Sequence, residues 1–136
     1  MRELKLDYKV SLQGHFPQPL CDIMLLGEKG PTPIQALVDS GAVRPIFPMK
    51  AAEDAGIDLA KGIEHPIQYG WSDTPGRICR VRFQLSEGTE IESSVVFVER
   101  LQFPYGLLGR VGFFDRFDEV NFVHRDKRRP YVVFRR

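Results

Sequence analysis

The chain has 136 residues, of which 43% are hydrophobic and 27% are charged. This length corresponds to about one domain, and the composition is that of a globular protein, which excludes a disordered chain or a coiled coil. Nineteen lysines and arginines nearly balance eighteen acidic residues. Such a balance argues against a nonspecific electrostatic grip on nucleic acid or an anionic membrane. We therefore expect one domain, residues 1–136, that recognises its partner by shape.

The apolar stretches are too short to cross a membrane. Residues 20–26 are interrupted by Asp22, whereas a membrane span needs about 20 apolar residues. The N-terminus alternates charged residues with leucine and lacks the apolar centre of a secretory signal, so the expected location is cytoplasmic. Cys21 and Cys79 are too few for a disulfide framework and are expected to be buried thiols. The three histidines show no ligand spacing with them, so neither a metal nor another cofactor is expected.

Hydrophobic periodicity predicts short strands in the first part of the chain. Residues 4–12 are apolar at every second position, which is the period of a half-buried strand. Turn-forming residues then separate apolar runs at residues 20–26 and 34–38. Residues 49–55 are good helix formers, and Gly56 follows them where a left-handed cap is wanted, so one or two helical turns are predicted.

Short elements continue to the C-terminus. Residues 66–71 and 78–85 flank a turn-rich segment, residues 72–76, and predict a hairpin with one exposed face. The other predicted elements are strands at residues 91–98, 119–124 and 131–134 and a short helix at residues 111–117. These pieces are too short and too numerous for a doubly wound sheet, so the predicted class is all-β.

The candidate chemistry begins at Asp39. This carboxylate follows the predicted strand at residues 34–38 and precedes Ser40, Gly41 and Ala42. An acidic residue at the C-terminal end of an apolar strand is typical of functional sites, where the surroundings alter the ionisation of the carboxyl group. The Asp-Ser-Gly triplet alone is also compatible with a plain turn that ends a strand.

A second motif lies later in the chain, where an apolar run leads into Gly109 and Arg110. Together, the apolar-apolar-Asp-Ser-Gly-Ala and apolar-apolar-Gly-Arg segments resemble the retropepsins, the retroviral-type aspartic proteases, and particularly their small bacterial relatives. The resemblance covers residues 4–134. It implies an all-β, retropepsin-like closed β-barrel or half-barrel with one short C-terminal helix and one catalytic aspartate per chain.

The resemblance assigns catalysis to Asp39 and support of the active-site loop to Ser40, Gly41 and Ala42. Aspartic proteolysis needs two carboxylates, and this chain carries one such triplet. The resemblance therefore implies a homodimer that hydrolyses peptide bonds of a peptide or protein substrate with a water activated between two Asp39 side chains. Such an enzyme requires no metal and no cofactor.

The resemblance also implies a flap over the substrate, formed by the hairpin at residues 66–85. Its expected substrate-binding residues are Tyr69, Gly70 and Trp71. Trp71 could equally be a core residue. Gly109 and Arg110 would have a structural role at the start of the C-terminal helix.

Val43 and Arg44 depart from the family pattern. Many retropepsins carry an acid at the position of Val43, where it pairs with the arginine that corresponds to Arg110. If Arg110 is buried, it needs another partner. The candidates are Asp115, Asp118, Glu119 or backbone carbonyls, in the same chain or across the dimer interface. The departure keeps a second class of function open, namely a catalytically weak or inactive peptide-binding or scaffolding domain on the same fold.

The C-terminal segment is rich in arginine and lysine, and it allows two interpretations. Tyr131 and Phe134 could serve as stacking platforms for nucleic acid beside these basic residues. The simpler interpretation is a charged turn at residues 126–130 followed by an edge or interface strand. We adopt the second interpretation and expect no nucleic-acid partner and no membrane partner.

Overall fold

The structure is a computed structural model that describes residues 3–10, 16–69 and 72–136, with Tyr69 and Ser72 described by their backbone alone. Within these residues the chain is mostly β, which confirms the predicted class. The strands are β1 (Glu3–Asp7), β2 (Leu20–Leu26), β3 (Thr32–Val38), β4 (Ile46–Pro48), β5 (Ile63–Glu64), β6 (Ile67–Tyr69), β7 (Ser72–Thr74), β8 (Gly76–Leu85), β9 (Glu90–Val98), β10 (Gly106–Leu108), β11 (Glu119–Val123) and β12 (Tyr131–Arg135). One α-helix, α1 (Met49–Ala55), and 3-10 turns at Leu59–Lys61 and Phe114–Arg116 complete the described secondary structure.

Six strands form a closed barrel in the order β2-β3-β10-β4-β9-β8, with β8 pairing back onto β2. The closure is antiparallel, with Ile23 opposite Leu85. Two pairs of neighbouring strands in the barrel wall, β3 with β10 and β4 with β9, are parallel. The predicted closed barrel is therefore confirmed, and it brings the ends of β3 and β10 to the same edge.

Alternation along β8 shows why these residues form a barrel wall. Cys79, Val81, Phe83 and Leu85 are buried, and the arginines between them are exposed. Phe83 meets Phe47 edge to face, with 5.6 Å between the ring centroids. Burying each large apolar side chain of this kind contributes roughly 1.5–3 kcal/mol, so the barrel interior is the main source of stability.

A three-stranded sheet of the terminal segments packs beside the barrel in the order β1-β12-β11. The predicted edge position of the last strand is wrong within this chain, because β12 pairs with β1 and β11 on its two sides. The first strand is also shorter than predicted. It ends at Asp7 opposite Tyr131, where Pro130 precedes β12 and has no N–H to extend the ladder. The last predicted residues, 11 and 12, lie outside the described residues.

The helix at residues 49–55 is confirmed. Gly56 takes the left-handed conformation, with φ of 78°, and its N–H caps the carbonyls of Ala52 and Glu53. None of the helices in the described part of the chain is long and apolar enough to cross a bilayer.

The predicted C-terminal helix at residues 111–117 is wrong in extent, because only one turn of 3-10 helix forms there. The segment forms turns and a single 3-10 turn, Phe114–Arg116. Gly112 has φ of 107°, which a right-handed helix does not allow, and a side chain there would overlap the hydroxyl of Ser93. The apolar density of this segment reflects burial instead, since Phe113 and Phe117 pack on Phe134.

The predicted hairpin between residues 66–71 and 78–85 is also wrong. β6 pairs with β7, and Tyr69 lies opposite Ser72. β8 pairs instead with β9, β2 and β5, because its alternating apolar residues belong to the barrel. We call the β6–β7 pair the flap hairpin.

Candidate active site

Asp39 leaves the barrel where two parallel strands end side by side. Val38 is the last residue of β3 and lies opposite Leu108, the last residue of β10. The Asp39 N–H donates to the carbonyl of Leu108 at 3.0 Å. This bond extends the parallel ladder by one residue and fixes the backbone of Asp39 at the edge of the barrel.

The loop after β3 also orients the Asp39 carboxylate. The N–H of Gly41 donates to Asp39 Oδ1 at 2.8 Å, and the N–H of Ala42 donates to the Asp39 carbonyl at 3.2 Å. Asp39 is half-buried, Ser40 and Gly41 are exposed, and Ala42 is buried. The carboxylate is therefore held by its own loop and keeps its second oxygen, Oδ2, without a described hydrogen bond.

The Gly109–Arg110 motif lies directly against this loop. The N–H of Arg110 donates to the carbonyl of Ala42 at 3.0 Å, and the N–H of Val111 donates to that of Val43 at 2.7 Å. A Cβ on Gly109 would lie 2.7 Å from the backbone N, C and O of Arg44, closer than real contacts allow. The two motifs, far apart in sequence, therefore form one interlocked pair of loops.

The structure does not bury Arg110 as the sequence suggested. Its side chain is exposed in the isolated chain and forms no ion pair with any described residue. Asp115 instead accepts a hydrogen bond from the Gly112 N–H at 3.0 Å and lies 3.8 Å from Arg116. The expectation of an Arg110 pair with Asp115 or Asp118 is wrong for the single chain, because the local turn uses Asp115.

Asp39 lines a cavity of about 490 Å³ beside the flap hairpin. Apolar walls come from the barrel and from the first arm of the flap hairpin, and the titratable groups are Asp39, Arg44 and His65. The lining residues are Asp39, Gly41, Ala42, Val43, Arg44, Ile46, His65, Pro66, Ile67, Gln68, Val96, Phe103 and Leu107. A larger cavity of about 780 Å³, between β2, β3 and the turn after β8, contains neither motif.

The flap residues can be placed only in part. Tyr69 ends β6, and Ile67 and Gln68 of the same strand line the Asp39 cavity. Gly70 and Trp71 lie outside the described residues. No sequence signal points to His65 or Phe103, because a histidine before a proline and an aromatic residue in a turn-rich loop occur in many unrelated sites. The fold alone brings these two residues to Asp39.

Neither cysteine is a candidate nucleophile. Both thiols are buried and free, as predicted. Burial raises the pKa of Cys21 to about 12 and also raises the pKa of Cys79, so the reactive thiolate is scarce at neutral pH. Among the described residues, no three of the histidine, cysteine and acidic side chains gather into a group that could hold a metal ion.

No family model matches the sequence, and no curated protein does either. The structure is similar to that of a retropepsin-like aspartic protease from Rickettsia conorii, with a TM-score of 0.65, 16% identity, and coverage of 96% of this chain and 98% of that one. It is also similar to the EIAV protease in complex with the inhibitor HBY-793, with a TM-score of 0.53, 16% identity, and coverage of 75% and 88%. The chain therefore has a retropepsin-like fold, and the resemblance that its motifs predicted is confirmed at that level.

Proposed function

We propose that two copies of this chain form an aspartic endopeptidase in which a water held between two Asp39 carboxylates hydrolyses a peptide bond. One observation carries the proposal: in a retropepsin-like fold, Asp39 is held by the Gly41 N–H at the wall of a largely apolar cavity. The loop of Gly109 and Arg110 supports this arrangement through two backbone hydrogen bonds.

A second copy is needed because one chain supplies half of the catalytic pair. Asp39 is the only acid among the described residues that line the cavity. A symmetric dimer with a twofold axis beside the two Asp39 loops would join two identical half-sites into one. Each subunit would then contribute one carboxylate and one flap hairpin.

The chemistry follows from placing two carboxylates close together. At about 3 Å and an effective dielectric of 20, two full charges repel by roughly 5 kcal/mol, so the pair retains one shared proton. The ionised carboxylate accepts a proton from the water as its oxygen attacks the carbonyl carbon, and the protonated carboxylate donates its proton to the carbonyl oxygen. The resulting gem-diol collapses when the carboxyl that took the proton of the water donates it to the amide nitrogen, the other carboxylate accepts a proton from one gem-diol hydroxyl, and the C–N bond breaks. One water is consumed, and the pair returns to its starting protonation.

The cavity walls favour an apolar substrate residue beside the cleaved bond. Ile46, Val96 and Leu107 line the barrel side of the cavity, and Ile67 lines the flap side. Transfer of a leucine-sized or phenylalanine-sized side chain into such surroundings contributes roughly 1.5–3 kcal/mol. An extended peptide would lie between the Asp39 loops and the flap hairpins.

The direct test compares wild type with Asp39→Asn on an unbiased peptide library, followed by mass spectrometry. Asparagine keeps the shape but cannot take up or release the proton, so the cleavage rate should fall by at least about 100-fold. Asp126→Asn is the matched control, since Asp126 only closes the turn before β12, and it should cleave like wild type. Cleavage that persists in Asp39→Asn would falsify the protease proposal.

A peptide-binding domain without turnover is the second candidate. Val43 favours it, because this side chain is 52% exposed beside Arg110, where many retropepsins place an acid. In that case wild type would capture peptides from the same library and release them uncut. If Asp39→Asn then captures the same peptides as well as wild type does, the result would favour the binding domain over the protease.

A further inference from the structure

Arg44 is a charged residue in the cavity wall whose side chain has no described partner. It is half-buried, and together with Asp39 and His65 it makes up the titratable lining of the cavity. Arg44 forms no ion pair with any residue that the structure describes. The Arg44 guanidinium therefore keeps its N–H donors available to an acceptor that enters the cavity.

The position of Arg44 is fixed by its backbone. Gly109 packs against the Arg44 backbone so closely that even a methyl group would not fit between them. The preceding residues, Ala42 and Val43, are held by the N–H groups of Arg110 and Val111. Because the backbone is already held, binding a ligand would cost only the conformational entropy of the Arg44 side chain. A low entropy cost of this kind is typical of a preorganised binding residue.

The missing acceptor is not supplied by Asp39. Its Oδ1 already accepts from the Gly41 N–H, and the two side chains are not within ion-pair distance. A carboxylate brought by a substrate is the acceptor that a guanidinium binds best, through two parallel N–H donors. Arg44 is therefore complementary in charge to an acidic side chain that enters the cavity with the substrate.

We propose that Arg44 selects substrates that carry aspartate or glutamate close to the apolar residue at the cleaved bond. This inference rests on the proposed function and names its substrate class. Arg44 and Asp39 line the same cavity of about 490 Å³, and an extended peptide rises about 3.3 Å per residue. The acidic residue therefore lies within about three residues of the cleaved bond.

The test uses matched peptides with one apolar cleavage site and Glu, Gln or Lys at each position within three residues of it. At one position, wild type should cleave the Glu peptide about tenfold faster than the Gln peptide, judged by kcat/KM. Arg44→Gln should bring this ratio to about one, and Arg44→Glu should reverse the preference in favour of the Lys peptide. Arg125→Glu, the same charge reversal in the exposed turn after β11, should keep the wild-type ratio.

The failure of this inference is distinct from the failure of the proposed function. If wild type cleaves Glu and Gln peptides equally at every position, or if Arg44→Glu keeps the wild-type preference, the selectivity assignment is wrong and proteolysis stands. If wild type cleaves the unbiased library but none of these peptides, the selectivity assignment is wrong and proteolysis stands. If it cleaves neither, the protease proposal is wrong, and the affinities of the same peptides for Asp39→Asn decide the inference. Equal affinities for Glu and Gln peptides would overturn it. A uniform loss of activity with dimer dissociation in Arg44→Gln would also overturn it, by showing that Arg44 pairs with a second copy.

Discussion

Asp39 and Gly109 show how two residues of opposite character make one site. Asp39 would provide the catalytic carboxylate of the proposed enzyme, and this carboxylate is oriented by a backbone N–H two residues later. Gly109 contributes by having no side chain, since only then can its loop approach the Arg44 backbone. The packing of the two loops therefore depends on a close backbone approach that an alanine would disturb.

The close contact between Gly109 and the Arg44 backbone predicts different effects of substitutions at Gly109 and at Arg110. Gly109→Ala should lower the free energy of unfolding by about 1–3 kcal/mol, because a methyl group has to force two packed backbones apart. Arg110→Ala should change it by less than about 0.5 kcal/mol, because the Arg110 side chain is exposed. Urea unfolding of dilute, monomeric protein measures both. A larger loss for Arg110→Ala than for Gly109→Ala would contradict the packing described here.

Among the secondary-structure elements, those that depend on local interactions were predicted well from the sequence. The helix at Met49–Ala55 and its cap at Gly56 are where propensity and capping residues placed them. The partner of β8 was missed, since β8 pairs with β2 and β9 through contacts that its own sequence does not contain. The helix predicted around Phe113 failed for a related reason. A high density of apolar residues indicates that a segment is buried, but it does not indicate the backbone conformation of that segment.

The terminal sheet carries a charge cluster from which we predict sensitivity to acid. Arg135 in the central strand β12 lies 3.0 Å from Glu3 in β1 and 3.1 Å from Glu119 in β11. Hydrogen bonds from Arg135, and then from Asn121, hold the pKa of Glu119 below its ordinary value of 4.5. The three strands are therefore joined through one guanidinium as well as through their backbones.

The sign of the pH dependence follows from the lowered pKa of Glu119. The ionised form stabilises the folded sheet, so its contribution is fully present above pH 4.5 and is lost as the pH falls through the lower folded-state pKa. Glu119→Gln should remove part of the decrease in Tm between about pH 5 and pH 3, measured by circular dichroism. Glu99→Gln, at an exposed position after β9, should keep the wild-type pH profile. An unchanged profile for Glu119→Gln would show that this carboxylate does not contribute.

At the scale of the whole molecule, the barrel explains why a short sequence motif was informative. The parallel pairing of β3 and β10 brings the Asp39 and Gly109 segments together, so motifs distant in sequence become one site. The sequence could indicate these two segments because together they resemble the paired motifs of the retropepsins. It could not indicate His65, Phe103 or the exposure of Arg110, since these depend on how the flap hairpin, the loop before β10 and the turn at Gly112 pack in space.

The proposed enzyme uses two Asp39 side chains, one from each of two chains, in every active site. This pairing is tested most directly by mixing wild type with Asp39→Asn at constant total concentration and allowing subunits to exchange before peptidase activity is measured. If both carboxylates are required, activity follows the square of the wild-type fraction, so an equal mixture retains about one quarter of the activity of pure wild type. Activity proportional to the wild-type fraction, with about one half retained, would show that each chain acts alone and would contradict the account.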